Sequence, residues 1–250
     1  MKHLLYTLIF VFSAALTQAQ VTSISSINVG GSLSSGLSVI AEQNNYGGAE
    51  MTFLPTPAYS AGITFNTNWY KKIGIQIEGI YSFQGQKYYG EQFGQDVYKT
   101  VSLNYIQIPT FFKYTFTDYT DNQNAPDLFV LIGPQFSFLQ NAMTEYEVDG
   151  TITGFNEYHQ EVVRNSNFDR FPEFTSDLEL FNEFELSFVS ALGAAFDIGD
   201  YLQLTVESRL NWGYSDINAE AWQFPDLRNN YNASKNYLWG IRVGLLATVW

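Results

Sequence analysis

A segment of fourteen residues near the end of the chain alternates between two kinds of side chain. Between Tyr201 and Tyr214 the odd positions are polar, charged or small, and the even ones are mostly apolar: Leu202, Leu204, Val206, Ser208, Leu210, Trp212 and Tyr214. A period of two is typical of a β-strand with two different faces. The segment is also much longer than the usual strand of about five or six residues. It therefore predicts a long strand whose apolar face is covered by a core or by lipid.

Seven further segments of this kind bring the number of predicted strands to eight. The eight predicted strands lie at 27–40, 59–69, 73–86, 101–116, 128–139, 184–198, 201–214 and 237–250. Short turns follow the second and sixth strands, at 70–72 and 199–200, and a moderate one follows the fourth, at 118–127. Longer loops follow the odd strands, at about 41–58, 87–100, 140–183 and 215–236. Outer-membrane barrels have an even strand count, short periplasmic turns and long external loops.

The polar faces of these strands decide which side of the sheet meets lipid. Gly, Ser, Ala, Thr and Asn fill most of them, and the lumen of an eight-stranded barrel is only wide enough for side chains to fill. The apolar faces then lie against lipid, where no water can satisfy an open strand edge, so the sheet must close. We therefore predict an all-β fold: an eight-stranded antiparallel up-and-down transmembrane β-barrel with one long external loop.

A secreted, lipocalin-like carrier is the competing class of protein. Such a carrier would place its apolar residues inside the barrel and its polar residues outside. Its last strand would also have no need of an insertion signal. Here the segment from Arg242 to Val249 has a polar residue, then glycine, then apolar residues two apart. That pattern looks like the C-terminal signal read by the barrel-insertion machinery.

The first residues of the chain have the composition of a secretory signal peptide. Lys2 and His3 form a short basic start, and residues 4–16 form an apolar run that is too short to span a bilayer as a helix. Small residues then precede a cleavage site between Ala19 and Gln20. We predict a signal peptide over 1–19, one barrel domain over 20–250, and a location in the cell outer membrane.

Composition excludes several classes of function. The chain has no cysteine, which excludes disulfides, a lipid-modified cysteine and cysteine-ligated metals. Its formal net charge is −13, and nucleic-acid binding needs a basic face. We therefore expect no nucleic-acid partner, and no motif in the chain points to a cofactor.

Five long charged residues fall on inward-facing positions of the predicted strands. They are Glu78, Lys113, Glu207, Arg209 and Arg242. An unpaired charge in a confined lumen is costly, so we expect these residues to form ion pairs with one another. We interpret them as a structural cluster that plugs the lumen. The gating of a narrow channel is the alternative interpretation.

The third long loop is the best candidate for contact with a partner. It combines aromatic residues with many acidic ones, of which we select Glu145, Glu147, Asp149, Glu157, Glu161 and Asp169. Carboxylates suit calcium, but the spacing of an EF-hand is absent. His159, the only histidine of the predicted mature chain, lies in the same loop. A nucleophile motif such as G-x-S-x-G is absent, so we do not expect an enzyme.

Three segments and the last strand together resemble the PorT-like outer-membrane β-barrel family, which is common in Bacteroidota. The segments are YIQIP at 105–109 with KY at 113–114, LIGP at 131–134, and NWGYSDIN at 211–218. The resemblance implies a single small barrel in the outer membrane. The founding member of the family takes part in type IX secretion, but the acidic loops of this chain look unlike it.

These observations lead to an expected role as a structural or interaction module of the cell envelope. An accessory component of a secretion or envelope assembly, like that of type IX secretion, is one alternative, and a narrow channel is another. The expected partners are outer-membrane lipid, the barrel-insertion machinery during assembly, and other envelope proteins.

Prolines and aromatic residues lead to two local expectations. Proline cannot donate to a β-ladder, so we expect a bulge or bend near Pro109 and near Pro134. Aromatic residues should form a belt at each membrane interface. Near the short turns the belt would comprise Trp69, Tyr70, Tyr114, Phe116 and Tyr201. Near the long loops it would comprise Tyr59, Tyr81, Phe83, Phe138, Phe184, Tyr214, Tyr237 and Trp239.

Cleavage of the signal peptide can be tested directly on protein from the membrane fraction. We expect the mature chain to begin at Gln20, because Ala19 completes the small-residue cleavage pattern. Intact-mass measurement and N-terminal sequencing would identify the first residue. A mature chain that retains residues 4–16 would contradict this prediction.

Overall fold

The computed structural model describes residues 24–42, 51–69, 72–92, 94–116, 126–148, 151–156, 161–163, 180–220, 223 and 231–249. They form eleven strands: β1 (Ile24–Ala41), β2 (Thr52–Leu54), β3 (Thr56–Trp69), β4 (Ile73–Gln92), β5 (Gln95–Thr115), β6 (Asp127–Val148), β7 (Thr151–Asn156), β8 (Glu161–Val163), β9 (Phe184–Ile198), β10 (Leu202–Gly213) and β11 (Lys235–Thr248). Within these ranges no helix is long and apolar enough to cross a membrane. The predicted signal peptide lies outside the described residues.

Eight of the strands pair in a closed, antiparallel ring. Neighbours follow the order β1-β3-β4-β5-β6-β9-β10-β11, and β11 pairs with β1. That last pairing runs continuously from Asn28 opposite Thr248 to Ala41 opposite Lys235. The predicted eight-stranded barrel is confirmed. Each of its strands lies where the alternation placed it, although the turn between β9 and β10 spans 199–201 and begins with Gly199 at positive φ.

Three short strands and the ends of β4, β5 and β6 extend the sheet past the ring. β4 and β5 stay paired as far as Gln92 and Gln95, so the prediction of a loop at 87–100 is wrong. Gln86, Val101 and Thr144 are paired side by side across β4, β5 and β6. We use the name external sheet for β4 after Gln86, β5 before Val101 and β6 after Thr144, together with β2, β7 and β8.

The external sheet forms because the alternation of the strands continues beyond the membrane. Tyr88, Val97 and Val101 face inward there and are buried. β6 likewise runs to Val148 and pairs with β7. The predicted loop at 140–183 therefore begins with a hairpin, because burial of these inner side chains favours continued pairing over a loop.

The two faces of the barrel have the polarity of a membrane protein. Leu33, Ile63 and Leu192 point outward and are 68%, 70% and 62% exposed. Fully or almost fully buried polar residues line the lumen: Asn28, Thr64, Asn66, Gln76, Ser82, Gln107, Gln135, Ser137, Ser187 and Thr205. A lipocalin-like carrier has the opposite polarity.

Exposed aromatic side chains lie at both ends of the outward face. Tyr114, Phe116 and Tyr201 are exposed at the short-turn end. At the long-loop end the exposed residues are Tyr59, Tyr81, Phe83, Phe138, Phe184, Trp212, Tyr214, Tyr237 and Trp239. Tyr70 is outside the described residues. This distribution is the one expected for interfacial belts.

An apolar cluster fills the long-loop end of the lumen. It comprises Ile40, Tyr88, Val101, Leu103, Tyr105, Ala142, Phe181 and Ile217. Phe181 and Ile217 come from segments outside the ring, and Phe181 forms a β-bridge with Asn218. We call this cluster the apolar cap, because it covers the polar lumen on that side.

The two prolines lie in β5 and β6 without a shift in register. Pro109 is paired with Gln135, and Pro134 is paired with Phe188 in a regular ladder. Pairing between β5 and β6 is interrupted beyond Pro109 and resumes at Phe112 in the same register. No bulge occurs at either proline, so that form of the prediction is wrong, because a local gap in pairing accommodates the missing donor.

Close packing of β1 against β11 leads to a test with two adjacent glycines. A Cβ on Gly30 would overlap the carbonyl oxygen of Leu245, whereas one on Gly31 would meet nothing closer than 3.9 Å. Gly30→Val should destabilise the barrel by about 1–3 kcal/mol, the usual cost of overpacking. Gly31→Val should change its stability little. Urea unfolding in detergent would measure both, and equal effects would contradict the close approach of these strands.

Candidate functional site: a charged cluster in the barrel lumen

Four charged residues meet inside the barrel because their strands present them inward. Glu207 and Arg209 are two residues apart on β10 and share its inner face, and Arg242 on β11 is the direct partner of Glu207. Glu78 reaches them from β4 on another part of the wall. All four side chains are buried. We call Glu78, Glu207, Arg209 and Arg242 the lumen cluster.

Arg209 donates three hydrogen bonds to the carboxylates of the lumen cluster. Its Nη1 and Nη2 donate to the two carboxylate oxygens of Glu78 at 2.8 and 2.7 Å, which is a bidentate pair. Its Nε donates to Oε2 of Glu207 at 2.6 Å. The guanidinium also lies over the ring of Phe111, 5.0 Å from its centroid. Arg209 therefore joins two walls of the barrel through one planar group.

Arg242 connects the same two carboxylates a second time. Its Nη1 lies 3.0 Å from Oε1 of Glu78 and 3.3 Å from Oε1 of Glu207. Its Nη2 donates to the hydroxyl of Thr64 at 2.6 Å. Gln76 donates a further hydrogen bond to Glu78 at 2.5 Å. Two carboxylates and two guanidinium groups thus cancel in charge, which is the condition for holding ions out of water.

Lys113 does not join the other four residues. It is also buried, but its Nζ lies over the ring of Phe129 at 4.7 Å from the centroid. Among the described residues, no carboxylate comes within ion-pair distance of it. The sequence places Lys113 on the inward face correctly. The sequence cannot give the position of Lys113 along the barrel axis, because that position depends on strand tilt and register.

The lumen cluster separates two cavities in the barrel. A cavity of about 380 Å³ lies at the short-turn end, with Asn28, Lys113 and Gln203 in its wall. A second cavity of about 40 Å³ is lined by Arg209, Arg242 and residues further toward the apolar cap. From the short-turn end to the long-loop end, the lumen thus contains the larger cavity, the lumen cluster, the smaller cavity and the apolar cap.

The acidic residues proposed for the third loop are only partly described. Glu145 and Glu147 lie on β6 in the external sheet, and Glu161 is the first residue of β8. Asp149, Glu157, Asp169 and the neighbouring His159 lie outside the described residues. Within the described part of the chain, no group of His, Asp and Glu residues could hold a metal ion.

Sequence reasoning missed two groups with unusual surroundings. Glu185 is buried, and its Oε2 accepts a 2.7 Å hydrogen bond from Nδ2 of Asn236, which also reaches the hydroxyl of Tyr105 at 3.4 Å. In the external sheet, Lys99 lies between the rings of Tyr88 and Tyr146, and burial lowers its pKa to about 8. For Glu185 the only signal in the sequence is its inward position on a predicted strand, whereas Lys99 lies in a predicted loop and gives no such signal.

A ring of strands with lipid-facing apolar residues and an ion-paired polar lumen defines a small outer-membrane β-barrel protein. The chain belongs to the family of the outer membrane protein beta-barrel domain, whose model matches residues 18–218. Its place in the cell is accordingly the outer membrane.

Several solved structures are similar to this chain. OprG from Pseudomonas aeruginosa has a TM-score of 0.47 and 11% identity, over 90% of this chain and 96% of that one. The attachment invasion locus protein Ail of Yersinia pestis, in complex with the heparin analogue sucrose octasulfate, has a TM-score of 0.38 and 10% identity, over 88% and 99%. No curated protein matches the chain at a significant level.

The mutual dependence of the charges in the lumen cluster can be measured by a double-mutant cycle. Glu78→Gln should cost about 3–5 kcal/mol of stability, because it leaves two buried guanidinium groups facing one carboxylate. Arg209→Met should have an effect of similar size. The double variant should cost clearly less than the sum, because it restores neutrality. Urea unfolding in detergent would measure all three, and strictly additive effects would contradict the coupling.

Proposed function

We propose that the protein is a non-conducting barrel that serves as a structural or interaction module of the outer membrane. The observation that carries the proposal is the obstruction of the lumen at two levels. The lumen cluster ties β4, β10 and β11 together, and the apolar cap fills the long-loop end. Transport through the lumen would have to break buried ion pairs and displace an apolar cluster. The role we propose is therefore not that of a pore.

The external sheet is the surface that we propose for contact. From Phe83 in the aromatic belt, β4 continues for nine residues to Gln92. At about 3.3 Å per residue and with the usual strand tilt, the hairpin rises about 20 Å above the membrane. Paired strands hold this surface in one shape, so a partner would not have to order it on binding.

Charge suggests the kind of partner that the external sheet would accept. Its outward positions carry Glu91, Asp96, Glu145 and Glu147, and one lysine, Lys87. Tyr89 and Tyr98 lie beside them with ring centroids 5.1 Å apart, and the Tyr89 hydroxyl donates to Asp96. A basic surface on another envelope protein would complement this pattern.

An accessory role in a secretion or envelope assembly is the more specific form of this proposal. It rests on the motifs that resemble PorT-like proteins of Bacteroidota. We also propose cleavage of the signal peptide at Ala19/Gln20 and contact of the last strand with the barrel-insertion machinery during assembly. Outer-membrane lipid is the partner of the apolar outer face.

Replacing the hairpin of the external sheet would separate its role from that of the barrel. Tyr89 and Tyr98 are direct partners, so Asn-Gly in place of residues 90–97 would close them with a two-residue turn and would keep Tyr88 of the apolar cap. We expect the variant to keep heat-modifiable mobility on a gel. We also expect it to lose protein partners that crosslink to the wild type in intact cells.

The Glu78→Gln/Arg209→Met variant is the control, because its changes lie in the lumen and leave the external sheet intact. It should retain the crosslinked partners. Absence of any specific partner of the wild type would contradict an interaction role. Retention of the same partners by the hairpin variant would move the contact to another surface.

Electrical recording tests the closed lumen independently. We expect no stepwise conductance from the purified protein in planar bilayers, because the lumen cluster and the apolar cap lie in series. A known porin that is purified and reconstituted in the same way is the positive control. Reproducible single-channel steps from the wild-type protein would favour the narrow channel.

A further inference from the structure

The cavity at the short-turn end of the lumen has the properties of a binding site that the proposed function does not use. Its volume of about 380 Å³ is within the range of small-molecule pockets, about 300–1,000 Å³. The turn residues Gly199 and Asp200 line it, so it lies at the periplasmic side of the barrel. We call this cavity the vestibule.

Two buried groups in the wall of the vestibule have unused hydrogen-bonding capacity. Lys113 is 4% exposed, and no described carboxylate lies within ion-pair distance of its ammonium group. Gln203 donates from Nε2 to Asp197 at 3.0 Å, whereas its buried Oε1 accepts no hydrogen bond from the described residues. The lining therefore offers an unused cationic donor on β5 and an unused neutral acceptor on β10, three strands away in the ring.

Charges are arranged by depth in the vestibule. The cation, Lys113, is buried, whereas three carboxylates of the lining lie toward the turns: Asp127, the first residue of β6, is half-buried, and Asp197 and Asp200 are exposed. Four neutral residues of the lining bond in pairs: Thr248 donates to Asn28 at 2.8 Å, and Asn68 donates to Ser26 at 2.9 Å. The vestibule thus carries positive charge at its inner end and negative charge at its mouth.

This order of charges discriminates between classes of small ligand. A simple anion must pass the carboxylates at the mouth, and a simple cation meets Lys113 at the inner end. A molecule with both charges can place its carboxylate on Lys113 and its ammonium group near Gln203 and Asp197. Each unused group then gains a partner of the right kind, and charge-assisted hydrogen bonds are the stronger ones.

We propose that the vestibule binds a small zwitterion of the size of an amino acid from the periplasmic side. The carboxylate of the ligand accepts hydrogen bonds from Lys113, and its ammonium group donates to Oε1 of Gln203 and faces the carboxylate of Asp197. The site is independent of the external sheet. Its failure or success leaves the proposed function unchanged.

Binding can be measured with purified, full-length protein in detergent micelles. Titration calorimetry with L-alanine should give saturable binding. Propionate and ethylamine, which each carry one of the two charges, should bind at least about tenfold more weakly, because each leaves a buried or charged group without a partner. Absence of saturable binding of L-alanine would overturn the proposal, as would equal affinity for propionate.

Substitutions assign the binding to the vestibule. Lys113→Met should weaken L-alanine binding at least about tenfold, and Gln203→Leu should weaken it by a smaller factor. Lys87→Met removes a lysine from the exposed outer surface and should leave the affinity unchanged. Heat-modifiable mobility would verify that each variant is folded. If folded Lys113→Met and Gln203→Leu both bind as tightly as the wild type, the site is not the vestibule and the proposal is wrong.

Discussion

Closure of the β-sheet is the constraint on which the rest of the structure depends. Lipid offers no partner to a backbone N–H or C=O group, so the first and last barrel strands must pair along their full length. They do so from Asn28 opposite Thr248 to Ala41 opposite Lys235. Glycines such as Gly30 allow the two backbones to approach at this junction. Once the ring is closed with eight strands, the width of the lumen is set as well.

A narrow lumen lined by polar residues then restricts how charged side chains can be accommodated inside it. Four of the five charged residues that were predicted to face inward neutralise one another within a single hydrogen-bonded group, and each of the two arginines contacts both carboxylates. Such a group is weak evidence for net stability, because desolvation offsets much of the attraction. It is stronger evidence for specificity, since only one register of β10 and β11 places Glu207 opposite Arg242.

Predictions from the sequence were correct where they rested on the alternation of side chains along a strand. They were wrong where the outcome depended on pairing between backbones. The eight barrel strands and their inward faces follow from alternation alone. The loop expected at 87–100 is strand, because Tyr88 and Val97 find burial above the membrane. The bulges expected at Pro109 and Pro134 are absent, because a gap in pairing satisfies the same steric requirement without a change of register.

The sequence by itself determined the class of protein: a closed barrel with its apolar face outward. That information is local, since the alternation over a few residues is enough to identify the two faces of each strand. Only the tertiary structure decided which charged residues meet. Glu78 and Arg209 are 131 residues apart, and their distance depends on strand tilt and on the register of several intervening ladders. The same dependence separates Lys113 from the lumen cluster and leaves it at the wall of the vestibule.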